Sequence, residues 1–227
     1  PERLARRVLA TKANLGLAFD GDGDRLIAVD EAGEVRDGDY ALAICGRHLG
    51  AGGRLKGDVV VTTVMANLAL DRTLTKAGIG LAKVAVGDRY VLEEMLRIVA
   101  NLGGEQSGHL ILLDHSTTGD GLVAALAALR LMVERQRPLS ELKRVMTHFP
   151  QVLLNVRVKA RRDLDGIEPV RRTIARVRAA LNDRGRVLVR YSGTEPLVRV
   201  MVEGEDAGVV QQYAEEIAAV IGKQLAD

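Results

Sequence analysis

Three aspartates, Asp20, Asp22 and Asp24, stand at alternate positions in "LAFDGDGDRLIAV" (residues 17–29), with only Gly21 and Gly23 between them. Carboxylates held this close repel one another, and glycines weaken any regular element around them. A hard divalent cation offsets that repulsion, because oxygen ligands at i, i+2 and i+4 of a glycine-rich loop can converge on one point. A solvated acidic turn would show the same spacing. A calcium EF-hand is a sharper rival: counted from Asp20, oxygen ligands fall at places 1, 3, 5 and 12, the last being Glu31. Place 6 of such a loop needs glycine for its turn, however, and here it is Arg25; the flanks also read as strands rather than helices. Arg25 suits a phosphoryl group shared between metal and guanidinium, and equally a cation that merely balances local acidity.

Two further loops carry polar side chains on flexible backbone. "GGEQSGHL" (103–110) offers the carboxylate of Glu105, the hydroxyl of Ser107 and the titratable ring of His109. That set suits hydrogen bonding to a polyol, with His109 a candidate acid/base; a plain polar turn is the alternative. "RYSGTEPLVR" (190–199) places Ser192, Gly193 and Thr194 between Arg190 and Arg199. Hydroxyls, free N–H groups and two guanidinium forks suit a phosphate, while a hairpin with two surface arginines would look the same. "VGDRYV" puts Asp88 and Arg89 in a turn after a strand, and "STTGDG" reads as a helix start capped by Thr117, Thr118 or Asp120.

These loops need elements to hold them. "LGLAF" and "LIAVD" read as strands around the aspartates, followed by a helix in "DGDYALAICGRHLG" that ends before Gly50. Strands in "GDVVVTTV", "LAKVAV" and "HLILLD" alternate with helices in "MANLALDRTLTKAG", "VLEEMLRIVAN" and "TTGDGLVAALAALRLMVERQR". "GDVVVTTV" is continuous enough to be buried on both faces. This alternation predicts an α/β domain with a mixed, largely parallel sheet and flanking helices. Pro138 and Pro150 bracket a short connecting helix. From about Gln151 onward the order strand, helix, strand, strand, helix predicts a small α+β domain of βαββα type.

The chain has 227 residues, 47% hydrophobic and 27% charged, with a formal net charge of +2. It can therefore build a real core. The weak charge excess, 3% aromatics and absence of Trp argue against nucleic acid as a partner. The single cysteine, Cys45, excludes an internal disulfide and reads as a buried thiol in "YALAICG". No signal peptide or membrane-spanning stretch is recognisable, and a cytoplasmic setting is expected. The chain opens at Pro1 on the amphipathic run "ERLARRVLATKAN", which reads as part of a longer protein.

Taken together and in this order, "DGDGDR", "GEQSGH" and "RYSGTEPLVR" resemble the metal loop, sugar-recognition loop and phosphate-binding loop of the α-D-phosphohexomutase family. "EQSGH", with "VGDRYV" and "TTGDG", leans toward its glucosamine branch. The resemblance covers essentially the whole chain. It implies Mg²⁺ on Asp20, Asp22 and Asp24, a reacting phosphoryl group beside Arg25, and sugar hydroxyls on Glu105 and Ser107. Asp88 and Arg89 are further substrate-binding candidates, and Arg190, Ser192, Gly193, Thr194 and Arg199 would hold the non-reacting phosphate. The implied reaction interconverts glucosamine 6-phosphate and glucosamine 1-phosphate through a phosphoserine and a 1,6-bisphosphate, feeding cell-wall precursor synthesis. Mannose or glucose phosphates are the alternative substrates, and a non-catalytic sugar-phosphate binding fragment is the alternative function. The family's serine lies in a "TASHNP"-like loop, and none of Ser107, Ser116, Ser140 and Ser192 does. The resemblance thus assigns residues 1–36 to the end of domain 2, 37–148 to domain 3 and 149–227 to domain 4. It leaves the phosphoserine domain as a missing partner and the isolated chain inactive. A homodimer is among the possible assemblies.

Overall fold

The structure, a computed structural model, describes residues 1–193 and 195–225. The chain divides into two units, Pro1–Thr147 and His148–Asp227.

The first unit opens with α1 (Glu2–Thr11), β1 (Leu15–Phe19), β2 (Leu26–Asp30) and β3 (Val35–Arg36). These strands form an antiparallel sheet in the order β1-β2-β3, with Phe19 opposite Leu26 across the aspartate loop. The loop is therefore a β-hairpin connection, and the EF-hand alternative is excluded because no helix flanks it. Helix α2 (Gly38–Ala51) starts at Asp37, whose carboxylate accepts from the Tyr40 N–H. Contrary to the expected stop before Gly50, α2 runs on through it and is capped at Gly52. Gly50 is there for contact: a Cβ at that position would lie 2.9 Å from Ile79 Cδ1.

A second sheet follows. It is built from β4 (Val59–Thr63), β5 (Gly80–Val84), β6 (Leu102–Gly104) and β7 (Leu110–Leu112), in the order β5-β4-β6-β7. The β4–β5 and β4–β6 pairs are parallel and the β6–β7 pair is antiparallel, so the sheet is mixed and largely parallel. Helices α3 (Leu68–Lys76), α4 (Asp88–Ile98), α5 (Gly121–Arg135) and the short α6 (Leu139–Leu142) complete the unit. Central β4 buries Val60, Val61, Thr62 and Thr63, as its unbroken apolar and β-branched run requires. Asp88 and Arg89 open helix α4 rather than lying in the turn before it. Asp120 alone caps α5, accepting from the Val123 N–H at 3.0 Å.

The second unit runs β8 (Gln151–Arg157), α7 (Glu168–Leu181), β9 (Gly185–Tyr191), β10 (Leu197–Gly204) and α8 (Ala207–Leu225), the βαββα order expected. Its antiparallel sheet has the order β8-β10-β9. Both helices bury their apolar stripes against it, through Val170, Ile174 and Val177 from α7 and Val210, Ile217 and Ile221 from α8. Among the described residues, no helix is long and apolar enough to cross a membrane.

Candidate functional site

The hairpin between β1 and β2 brings carboxylate oxygens of Asp20, Asp22 and Asp24 within 4.8 Å of one another. Asp20 and Asp22 are exposed and Asp24 is half-buried. Arg25 answers part of their repulsion: its Nε lies 3.2 Å from Asp20 Oδ2 and 3.6 Å from Asp24 Oδ1. Its backbone N–H also donates to Asp20 Oδ1 at 3.1 Å. Desolvation works against ionisation of Asp20, but the Arg25 N–H, the Asp24 side chain and the Arg25 charge outweigh it, holding the carboxyl below its usual range. The donor set fits a hard divalent cation: three oxygen ligands converge, two of them open to solvent.

The segment from Glu105 to His109 docks on this hairpin. The Glu105 N–H donates to the His109 carbonyl at 2.9 Å and the Gly108 N–H to the Glu105 carbonyl at 3.0 Å, closing a tight turn. The Gly108 carbonyl accepts from the Leu26 N–H at 3.0 Å, and the Gln106 carbonyl from the Gly38 N–H at 3.0 Å. Gly108 has φ +97°, and a Cβ there would lie 2.2 Å from the Leu26 carbonyl oxygen, so only glycine suits it. The turn leaves Ser107 exposed and Glu105 half-buried. Glu105 Oε1 accepts from the Gly87 N–H at 3.0 Å, tying the turn to the start of α4. Nearby Asp88 is exposed, and Arg89 pairs with Glu93 one helical turn on, Nε to Oε1 2.8 Å.

His109 is 3% exposed. Its Nδ1 lies 3.0 Å from Asp24 Oδ2, whereas Nε2 is buried without a hydrogen-bond partner. A Cβ at Gly119 would fall 2.1 Å from that Nε2, so the glycine makes room for the ring. Nothing in the local sequence announces the Asp24–His109 or Glu105–Gly87 contacts; both arise from chain crossing.

The second unit holds the other loop by itself. Arg190 of β9 and Arg199 of β10 are register partners. Like charges directly opposite on a sheet are unfavourable unless an anion joins them. The Nε atoms of both are buried without hydrogen-bond partners. Burial, followed by the Arg199 charge, lowers the Arg190 pKa from its ordinary value. Ser192 is 1% exposed; its N–H donates to the Leu197 carbonyl at 2.9 Å and its Oγ accepts from the Glu195 N–H at 3.3 Å. Gly193 is exposed, with open space where a Cβ would sit. Thr194 lies outside the described residues. Arg199 Nη2 is 3.3 Å from Glu195 Oε2. Sequence reasoning missed Arg161, whose Nη2 donates to the Ser192 and Gly193 carbonyls. The pair "RR" after β8 was the available signal: the Arg162 N–H also donates to the Tyr191 hydroxyl at 2.9 Å.

Comparison with known proteins agrees with this layout. Residues 37–149 match the model "Phosphoglucomutase/phosphomannomutase, alpha/beta/alpha domain III", and residues 153–220 match the C-terminal domain of the same family. A phosphoglucosamine mutase of Brevibacillus brevis is 54% identical over 225 residues, which are 99% of this chain and 50% of that protein. One from Myxococcus xanthus is 52% identical over 99% of this chain and 49% of its own length. This chain thus spans about half the length of the relatives it matches. Among solved structures, a phosphoglucomutase/phosphomannomutase family protein of Burkholderia thailandensis superposes with TM-score 0.78 at 20% identity, covering 98% of this chain and 49% of that one. Aspergillus fumigatus N-acetylphosphoglucosamine mutase, in complex with GlcNAc-6P and magnesium, gives TM-score 0.75 at 20% identity over 90% of this chain and 51% of that one. At that identity the likeness concerns the fold. The chain belongs to the phosphoglucomutase/phosphomannomutase family, of which it carries domain III and the C-terminal domain.

Proposed function

We propose that this chain supplies the metal, sugar and phosphate sites of a phosphoglucosamine mutase, which interconverts glucosamine 6-phosphate and glucosamine 1-phosphate. The observation that carries the reading is the convergence of Asp20, Asp22 and Asp24 on the hairpin where the Glu105–His109 turn docks. Relatives of that name at 52–54% identity support the choice of sugar. Residues 1–36 are read as the end of the preceding domain, 37–148 as the sugar-recognition domain and 149–227 as the phosphate-binding domain.

In this reading Asp20, Asp22 and Asp24 hold Mg²⁺, which when bound neutralises charge on the transferring phosphoryl group. Arg25 sits beside that group and shares its oxygens. His109 fixes the position of Asp24. Glu105 and Ser107 hold sugar hydroxyls, with Asp88 and Arg89 at the edge of the same subsite. Arg190, Ser192, Gly193, Thr194 and Arg199 hold the phosphate that is not reacting, and Arg161 braces their loop. The phosphoryl donor is a phosphoserine on a part of the protein outside this chain. The free sugar hydroxyl oxygen bonds to phosphorus as the serine O–P bond breaks, and the hydroxyl proton passes to the departing serine oxygen. The resulting 1,6-bisphosphate turns over, and its other phosphoryl group returns to the serine with the reverse proton transfer. Such transfer depends chiefly on positioning and charge neutralisation.

The test uses the full-length enzyme with glucosamine, glucose and mannose 6-phosphates, with and without Asp22→Asn. Turnover should be fastest on the glucosamine phosphate. It should fall by about a hundredfold or more in the variant, as loss of a charge-stabilising group in such a site does. An unchanged rate and metal requirement in the variant would sink the metal assignment. Preference for mannose or glucose phosphate would move the protein to another branch.

A further inference from the structure

Helices α2 and α5 of the first unit flank an open cavity of ≈ 320 Å³ that shares no lining residue with the loops described above. Its lining is largely apolar, with Leu49, Val123 and Leu126 among it. The polar side chains in the lining are His48, Arg54, His115 and Arg130. Arg54 Nη2 lies 2.6 Å from His48 Nε2, and Arg135 Nη2 lies 3.2 Å from His48 Nδ1. A neutral imidazole has one acceptor nitrogen and a protonated one has none. At most one of these two guanidiniums can therefore be satisfied by the ring.

The nearby carboxylate does not remove the surplus. Glu134 Oε2 lies 3.2 Å from His48 Nε2, and its Oε1 already accepts from Arg130 Nε at 2.6 Å. The charges acting most strongly on His48 are three guanidiniums, Arg54, Arg135 and Arg130, against the single carboxylate of Glu134. Burial, then Arg54 and Arg135, hold the imidazole below its ordinary pKa of 6.5, which favours the neutral ring. An apolar lining beside a cluster with more donors than acceptors is complementary to one class of ligand.

We propose that this cavity binds an amphipathic anion, with its apolar body against Leu49 and Leu126 and a phosphate monoester head on the Arg54 guanidinium. The head group gives Arg54 the acceptor that His48 cannot provide while it also faces Arg135. The apolar body covers half-buried Leu49 and exposed Leu126, which otherwise face water.

The test titrates the ¹⁵N-labelled chain with octyl phosphate, octanol and inorganic phosphate, each below any micelle-forming concentration. Octyl phosphate should move the amides of Cys45, Leu49, Ala127 and Leu131. It should bind about tenfold or more tighter than octanol, the factor expected of a charge-assisted contact. Inorganic phosphate should leave these amides still. Arg54→Gln should reduce octyl phosphate affinity about tenfold without changing that for octanol. The fold should survive this change, because it is the Arg54 backbone carbonyl that accepts from Asn101 Nδ2. Ala127→Leu, which fills the cavity, should weaken both alkyl probes. The proposal is overturned if millimolar octyl phosphate leaves α2 and α5 unmoved, or if Arg54→Gln binds as tightly as the parent. It is equally overturned if the full-length enzyme fails to bind the probe that the chain binds, since the cavity would then be covered by the rest of the protein.

Discussion

His109 Nδ1 and Asp24 Oδ2 lie 3.0 Å apart although 85 positions separate them in the chain. The contact joins the aspartate hairpin to the turn that ends at His109, and it orients one carboxylate of the converging set. His109→Ala in the full-length enzyme should therefore weaken Mg²⁺ activation more than sugar-phosphate binding. A metal titration of activity, read as separate kcat and KM effects, checks this. Asn at position 109, which can also donate to Asp24, should restore part of the metal affinity. A uniform loss of both binding terms would instead mark a general disruption of the loop.

Gly119 matters because of the same ring. A Cβ would fall 2.1 Å from His109 Nε2, so Gly119→Ala must push the imidazole off Asp24. Overpacking of this kind costs about 1–3 kcal/mol. Urea denaturation should show that loss, accompanied by the weakened metal response of His109→Ala. Gly21→Ala is the control: no atom lies within 4 Å of its would-be Cβ, and stability should hardly change.

The Arg190–Arg199 pair predicts anion binding in the second unit. Removing one guanidinium from a charge-assisted contact costs about 1.5–3 kcal/mol, so Arg190→Ala should weaken sugar-phosphate binding about tenfold or more. Mg²⁺ dependence should be untouched. In the isolated chain, phosphate should shift the amides of Ser192 and Gly193; if these stay still while others move, the phosphate site lies elsewhere.

Burial pushes the Cys45 thiol up to about 12. At pH 8 only about one thiol in ten thousand would be ionised, and the group is covered as well. A small neutral alkylating reagent, iodoacetamide, should leave the native chain unmodified for hours and react within minutes in denaturant. Rapid labelling of the native chain would contradict the buried placement.

Acid stability should follow Asp114. Hydrogen bonds from Lys56 Nζ at 2.7 Å and then Asn101 Nδ2 at 2.6 Å hold its carboxyl below the ordinary 3.8. A folded-state pKa below the unfolded one gives stability that is full above the unfolded value and lost as pH falls through the folded value. Thermal midpoints should thus fall below about pH 4, and more steeply for the parent than for Asp114→Asn.

Much of this molecule was legible along the chain. The apolar runs "LGLAF", "LIAVD" and "GDVVVTTV", the helical stripes and the βαββα order of the second unit are local patterns, and they formed where those patterns lie. Donor types and spacing at Asp20, Asp22 and Asp24 were likewise local, because all three lie in the one hairpin loop between Phe19 and Leu26. Strand β6 was not legible: "LGG" has no strand signature and becomes one only by pairing with β4 and β7. The same holds for the partners of His109, for Glu105 reaching the Gly87 N–H and for Arg161 bracing the loop after β9. Side-chain periodicity and turn chemistry act over a few residues and so fix elements and candidate ligands. Which ligand meets which partner depends on how distant elements pack, and that the tertiary structure alone decided.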